Sequence, residues 1–341
     1  MKIAIVILNW NGLKHLKKFL PSVLKHSGKN PIYVIDNYST DSSVEFVKET
    51  YPEIKLILNN DNFGYAKGYN EGLKKVKEEI YCLLNNDVEV TKDWLNPIIE
   101  EFTNNESVVI AQPKILDYKI KNKFEYAGAA GGFIDYFGYP YCRGRIFSNI
   151  EKDNGQYDQN IDIFWASGAC FFIRKNTYEL LNGFDENFIN HMEEIDLCWR
   201  LTNLNLNLKK RFLYKSVVFH LGGGSLNYEN PKKLFYNIRN QRWMIIKNMN
   251  LLNNFSPTIY VVQCINLFLG LYYLIINKTN HFKEIYNAMF QSSIIINKKR
   301  VNISKSYRMT ISNEIKPKHF AIKSILYQYI IRARKKYSDL T

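Results

Sequence analysis

The sequence predicts an α/β fold built on a mainly parallel sheet flanked by helices, followed by a helical, basic C-terminal extension. Short apolar, β-branched runs recur through the first half, and most are followed by a stretch that suits a helix. The runs are apolar at consecutive positions, as strands covered on both faces must be. The third observation is charge: the formal net charge is +14, yet residues 1–225 hold 27 Lys and Arg against 28 Asp and Glu, whereas residues 226–341 hold 19 against 4.

In chain order, IAIVIL (3–8) is the first strand; it is short and lacks a cleavage-site pattern, so it is not a signal peptide. Leu13, Leu16, Leu20 and Val23 follow at helical spacing, ending near Gly28, with Pro21 a point where the helix could kink. The runs IYVI (32–35), IKLIL (54–58), IYCLL (80–84) and VVIA (108–111) continue the sheet, with a helix over Tyr69 to Val76 between two of them. Residues 118–160 lose this rhythm, and FEYAGAAGGFIDYFGYPYCRGR (124–145) reads as binding surface or a poorly ordered loop. A strand (Cys170 to Ile173), a helix (about 192–203) and a strand (Val217 to His220) complete a domain of residues 1–225. Residues 226–341 form a second, helical region.

With 341 residues, 46% of them hydrophobic, the chain can bury a large core, which excludes general disorder. Five cysteines, odd in number and never in a Cys-x-x-Cys pair, argue against a disulfide framework or a zinc site and fit a reducing cytoplasm.

Ligands of an open α/β sheet bind outside the carboxyl ends of its strands. Asp36 ends the second run and Asp87 the fourth, so both stand at the crevice mouth; a turn or cap role is the plain alternative for Asp36. Glu89, two residues beyond Asp87 on an extended chain, and the amides of Asn85 and Asn86 add oxygen donors suited to magnesium or manganese shared with a diphosphate. Between the two acids, NNDNFGYAKGYNEGL (59–73) spaces Gly64, Gly68 and Gly72 four apart before a helix, which permits close approach of an anion. No Gly-Lys-Ser/Thr follows, so it is not a P-loop. In NGFDENFINHMEEIDLCWR (182–200), Glu193, Glu194 and Asp196 crowd one helical turn among apolar residues. The crowding costs stability, and a partly buried carboxylate there gains general-base character; a solvated helix start is the alternative. His220 ends a strand before three glycines, as a structural hydrogen-bonder or a further metal ligand.

Taken in order, VILNWNG (6–12), VIDNYSTDSS (34–43), NNDNFGYAKGYNEGL, LLNNDVEV (83–90), WASGACFFIRK (165–175), GFDENF with EEIDLCWR, VVFHLGGGS (217–225) and IRNQRWMIIKN (238–248) resemble the family-2 glycosyltransferases of the GT-A fold. The likeness is greatest to rhamnosyltransferase-like members that build bacterial surface polysaccharides, and it covers about residues 1–250. The resemblance implies an inverting, metal-dependent enzyme that moves a sugar, by analogy rhamnose, from a nucleotide-diphosphate donor to a glycan or polyprenyl-linked acceptor. It implies that Asp36 holds the base and that Asn9, Asn62, Gly64, Lys67, Gly68 and Asn70 line the nucleotide. It places Asn85, Asn86, Trp165, Ser167 and Gly168 along the substrate, Asp87 on the metal with Glu89 and His220 near it, and Glu194 as catalytic base with Glu193 its rival. Asn85 departs from the Asp-x-Asp motif, and Glu194 stands where the family usually has Asp.

The basic region contains Phe255 to Ile276, long enough to be weighed as a spanning helix but interrupted by Gln263 and Asn266, which favours a helix lying in the membrane interface or packed on the protein. Lys298-Lys299-Arg300 and IRARKK (331–336) alternate with apolar residues and suit the anionic inner face of the cell membrane. The same interleaving argues against nucleic acid. A sugar nucleotidyltransferase would require a Gly- and Arg-rich loop where Asn9-Trp10-Asn11-Gly12 stands, and clear spanning helices for a processive synthase are lacking. A glycan-binding or assembly protein on a degenerate scaffold stays open because of Asn85 and Glu194.

Overall fold

The apolar runs of the first half all become strands. The structure is a computed structural model and describes residues 1–204, 206–222, 230–249, 257–291 and 322–340. In chain order the elements begin with β1 (Ile3–Asn9), α1 (Leu13–His26), β2 (Ile32–Asp36), α2 (Ser43–Thr50), β3 (Lys55–Leu58), α3 (Gly64–Leu73), β4 (Ile80–Asn85), β5 (Val88–Val90), α4 (Asn96–Asn104) and β6 (Val108–Asp117). There follow β7 (Gly132–Ile134), β8 (Pro140–Cys142), β9 (Arg145–Ile146), β10 (Asn149–Ile150), β11 (Ile161–Asp162), β12 (Cys170–Arg174), α5 (Lys175–Leu180), α6 (Glu193–Asn203) and β13 (Lys209–His220). The remainder is helical: α7 (Pro231–Asn248), α8 (Pro257–Ile275), α9 over 279–291 and α10 (Ile325–Ile330).

The main sheet has the order β11-β13-β6-β12-β4-β1-β2-β3, with β5 paired to β13. β4, β1, β2 and β3 are mutually parallel, β12 runs against its neighbours β4 and β6, and β13 is parallel to β6. β1, β2 and β4 are buried along almost their whole length because apolar side chains cover both of their faces, which form two separate cores.

The expected helix over Tyr69 to Val76 begins earlier, at Gly64, whose φ of +71 sets the turn. The strand read at Val217 to His220 is the end of the longer β13, in which a register shift between Leu213 and Val217 interrupts the pattern. Residues 118–160 are not one loop: they include β7 to β10, a small antiparallel sheet whose two- and three-residue strands are too short to show an alternation.

The charge boundary at residue 225 does not divide the cores. Trp243, Met244, Ile245 and Ile246 of α7, and Ile259 and Val262 of α8, join the larger core of the sheet. Part of the basic tail is docked too, since Asp135 accepts from the Ile325 N–H at 2.8 Å and Glu151 from the Tyr337 N–H at 3.1 Å. Thr258 to Ile275 is long and apolar enough to cross a membrane by length and composition, and only 28% of it is buried. Asn266, which lowers its hydropathy, lies on the buried face, while Phe268, Leu271, Tyr272 and Ile275 face outward. Phe255, Gly223 to Ser225 and Lys298-Lys299-Arg300 lie outside the described residues.

Candidate active site

Register sets the first part of the site. Asn9 lies opposite Asp36 across β1 and β2, and Leu8 opposite Asn85 across β1 and β4, so three carboxyl ends stand side by side. Asn9 donates to Asp36 Oδ1 at 3.2 Å and accepts from Asn86 Nδ2 at 3.1 Å. Gly12 must be glycine here, because a Cβ would lie 2.2 Å from Asn9 Oδ1 and 2.4 Å from Asn86 Nδ2. Asp36 is buried and its Oδ2 accepts from the Ser39 N–H at 2.9 Å, so it also closes the turn, as the plain reading required. Asn37 bridges the next loop, donating to Asn62 Oδ1 at 3.0 Å and to the Gly64 carbonyl at 3.1 Å. Gly68 packs on Asn37, and the Lys67 ammonium lies 4.3 Å from the Phe63 ring centre. Asn70 turns away from this loop: it accepts from Tyr178 Oη at 2.6 Å and the Phe184 N–H at 3.0 Å and donates to the Phe184 carbonyl, tying α3 to residue 184.

Asp87 and His220 form the second part. Both are buried, with Asp87 Oδ1 3.1 Å from His220 Nε2, and on the far side of the ring His220 Nδ1 is 3.2 Å from Glu125 Oε2. Burial works against an imidazolium, but the Glu125 and Asp87 carboxylates outweigh it and hold the His220 pKa well above its usual value. Burial likewise opposes ionisation of Asp87, and His220 more than offsets it, so this carboxyl is held below its usual range. Asn85 Nδ2 lies 3.4 Å from His220 Nε2.

A carboxylate oxygen and an imidazole nitrogen at this separation are spaced as neighbouring ligands of one small divalent ion, for which bond lengths are about 2.1 Å. A carboxylate behind the other ring nitrogen is the usual support of a metal-binding histidine. Asp87 and His220 are therefore a pair that could hold magnesium or manganese, although no group of three His, Cys, Asp or Glu side chains is gathered for a metal among the described residues. Glu89 corrects the expectation: its carboxylate pairs with Lys121 at 2.5 Å on the surface. β5 starts at Val88, so Asp87 belongs to the turn, and the two-residue period that would align it with Glu89 does not apply.

The third part meets β4 through the 167–169 turn. The Asn85 N–H donates to the Ala169 carbonyl at 3.0 Å, and the Gly168 N–H reaches the Glu194 carboxylate. Asp36, Asp87, His220 and Glu194 are thereby joined through adjacent residues at one edge of the sheet. Ser167 shapes the turn, taking Gln112 Oε1 on its N–H at 2.8 Å and accepting the Ala169 N–H at 3.2 Å. Trp165 is buried and donates to the Phe133 carbonyl at 2.8 Å, an internal contact that supports the turn.

Burial lifts the Glu194 pKa to about 7, and burial together with Glu194 lifts that of Glu193 well above the usual range. Among the described residues, Glu193 Oε2, Glu194 Oε2 and His191 Nε2 are buried without hydrogen-bond partners. Asp196, the third acid of the turn, has a different duty. It is fully buried and takes Arg200 Nε, Lys247 Nζ and Asn248 Nδ2, each at 2.8 Å, so its own charge is neutralised by Arg200 of α6 and Lys247 of α7.

Sequence reasoning missed Glu125, Asn37, Tyr65 and Asn240. Tyr65 Oη donates to the Gly168 carbonyl at 2.9 Å, and Asn240 holds the loop before Glu193. Glu125 opens the aromatic loop that reads as binding surface, which is the signal that could have found it.

Comparison with known proteins agrees with this fold. The family described as Glycosyl transferase family 2 matches residues 4–181. The chain is 23% identical over 231 residues to N-acetylglucosaminyl-diphospho-decaprenol L-rhamnosyltransferase of Mycobacterium tuberculosis, covering 58% of this chain and 70% of that protein. It is 22% identical over 213 residues to rhamnosyltransferase WbbL of Escherichia coli, covering 60% and 79%. Among solved structures, the mannosyltransferase PcManGT from Pyrobaculum calidifontis, in complex with GDP-Man and Mn2+, superposes with a TM-score of 0.51 at 14% identity, covering 90% of this chain and 82% of that one. GalNAc-T7 with UDP, GalNAc and Mn2+ superposes with a TM-score of 0.55 at 16% identity, over 76% of this chain and 52% of that one. The sheet order, the likeness to solved structures and the family match lead to one conclusion: the chain belongs to glycosyl transferase family 2, has the GT-A fold and is a glycosyltransferase.

Proposed function

We propose that the protein transfers rhamnose, with inversion, from a nucleoside-diphosphate carrier to a polyprenyl-diphosphate-linked glycan in surface polysaccharide synthesis, using a divalent ion. The observation that carries this is the seam between Asn85 and Ala169, which joins the strand before the Asp87–His220 pair to the turn that reaches Glu194, a carboxyl poised at about 7 with one oxygen unpartnered among the described residues. The names of the mycobacterial and enterobacterial relatives support the sugar, and the first supports the acceptor.

Asp87 and His220 would hold the divalent ion, which when bound supplies positive charge to the departing diphosphate. Asn9, Asp36 and the Asn62–Gly64 loop bind and orient the nucleotide. Glu194 Oε2 takes the proton of the acceptor hydroxyl while its oxygen attacks the anomeric carbon from the face opposite the diphosphate. The new C–O bond forms as the bond to phosphate breaks, so one displacement inverts the centre and leaves the proton on Glu194. A base with a pKa near neutrality is matched to this task.

The outward face of α8 and the exposed Arg332, Lys335 and Lys336 support attachment to the anionic inner face of the cell membrane, where such an acceptor resides. The test is incubation of purified protein with thymidine- and uridine-diphosphate sugars, Mn2+ or Mg2+, and a polyprenyl-diphosphate N-acetylglucosamine acceptor, with the product anomer read by NMR. An inverted rhamnoside is expected. A retained anomer overturns the single displacement, and absence of both transfer and slow donor hydrolysis across the panel favours a binding protein on the same scaffold.

A further inference from the structure

We propose that Arg239 and Asn240 of α7 are positioning residues, which hold the 187–192 loop in a strained shape and thereby aim Glu194; this rests on the reading of Glu194 as the base. Three of the four residues before α6 that include Ile189 are left-handed without being glycine: Ile189 (φ 61), His191 (φ 70) and Met192 (φ 71). L side chains rarely adopt this conformation, and a β-branched one is the least tolerant of it. A loop of this kind persists only if its surroundings over-determine it.

α7 provides that constraint. Asn240 Nδ2 lies within donating distance of three carbonyls, Asn190 at 2.7 Å, His191 at 2.8 Å and Phe188 at 3.0 Å. Arg239 Nη2 donates to the Asn187 and Phe188 carbonyls, both at 3.0 Å, and its Nε donates to Asn240 Oδ1 at 2.9 Å, which fixes the orientation of the amide. Both side chains are buried. One and two turns further along the same helix, Trp243 and Lys247 hold Asp185 Oδ2, at 3.2 and 2.8 Å, and Lys247 and Asn248 hold Asp196. The loop is thus gripped at its start, along its length and just beyond its end by one helical face.

The grip is transmitted without slack. α6 begins at Glu193, the residue after Met192, and Glu194 is the next. On its other side the loop meets the donor-binding segment, where the Ile189 carbonyl accepts from the Tyr65 N–H at 3.0 Å and a Cβ on Gly64 would lie 3.1 Å from that same oxygen. Tyr65 Oη in turn reaches the Gly168 carbonyl beside Glu194. Released from α7, the loop would relax towards ordinary dihedrals and carry the first turn of α6 with it. Displacement of a catalytic group by about 1 Å can cost 100-fold in rate.

The experiment compares Asn240→Ala, Arg239→Lys and Glu194→Gln with the parent enzyme. Asn203→Ala is the control, because it removes a 2.9 Å hydrogen bond to the Asn248 carbonyl of α7 outside the loop. For Asn240→Ala, kcat is expected to fall by about 10–100-fold while the donor KM and the affinity for the nucleoside diphosphate stay unchanged. The acidic limb of its kcat–pH profile should move, and amides 187–192 should lose protection in hydrogen exchange. Arg239→Lys should show a smaller change of the same kind, and it carries the test if Asn240→Ala does not fold; Asn203→Ala should keep the parental kcat and pH profile. Folded Asn240→Ala or Arg239→Lys with parental kcat and pH profile, alongside inactive Glu194→Gln, overturns the positioning role and leaves the base in place. Full turnover by Glu194→Gln overturns the base, and the inference with it.

Discussion

The two ends of the site are built in opposite ways. At the donor end, Asn9, Asp36, Asn37, Asn62 and Asn86 satisfy one another, and register between parallel strands sets their positions. At the base end, three buried polar atoms, on His191, Glu193 and Glu194, have no partner among the described residues, the backbone leading into α6 is left-handed at three residues, and a helix more than forty residues later holds it there. The contrast teaches a division of labour. Groups that bind a polar ligand can be organised in advance through their mutual hydrogen bonds, whereas a proposed proton acceptor keeps one oxygen open, at a cost borne by its surroundings.

The strongest way to break this division is at its two centres. Glu194→Ala should lower kcat by about 10²–10⁴-fold with nucleoside-diphosphate affinity retained, whereas Asp36→Ala should chiefly raise the donor KM; steady-state kinetics and calorimetric titration separate the two. An equal loss of kcat and of affinity in both variants would erase the distinction. Next in size is the support of the base end. Asp196→Ala leaves Lys247 and Arg200 facing each other without their shared carboxylate, and it should destabilise the protein by about 3–5 kcal/mol in urea unfolding.

Glu125→Gln sharpens the comparison from the metal side. If Glu125 steadies His220, Mn2+ affinity measured by electron paramagnetic resonance with nucleoside diphosphate present should weaken by about 10–100-fold, and the variant should remain folded. If Glu194 is the base, as proposed, it acts when deprotonated, and its raised pKa sets the pH dependence. Below about 7 the rate should therefore fall as pH falls, roughly tenfold per unit, and level off above it. A rate independent of pH between 5 and 8 would remove Glu194, and not the donor end, from proton transfer. The smallest expected effect is at the periphery. Phe268→Ser with Ile275→Ser should reduce flotation with anionic liposomes and slow transfer to a lipid-linked acceptor several-fold, with transfer to a water-soluble acceptor unchanged.

The donor end was more legible in the sequence than the base end, and the reason is the range of the interactions. Asp36, Asp87 and His220 stand where apolar runs stop, so their position at strand ends follows from local pattern alone. Glu89 misled because the pattern does not reveal that the chain turns at Asp87 before β5 begins. Glu125 was hidden in a segment whose strands are too short to leave a period, and Asn240 in a region that composition had set apart from the catalytic one.

Hydrophobic periodicity and the placement of acids by themselves determined that the sheet is mainly parallel and that Asp36, Asp87 and His220 stand where apolar runs end, because each is a property of a few neighbouring residues. Only the tertiary structure decided that His220 is backed by Glu125, that Asp196 is neutralised by Lys247 and Arg200, and that α7 grips the loop before Glu194. Those pairings join residues between 4 and 95 positions apart, most of them far along the chain, and they are selected by which buried charge or carbonyl would otherwise lack a partner, a condition that exists only once the chain has packed.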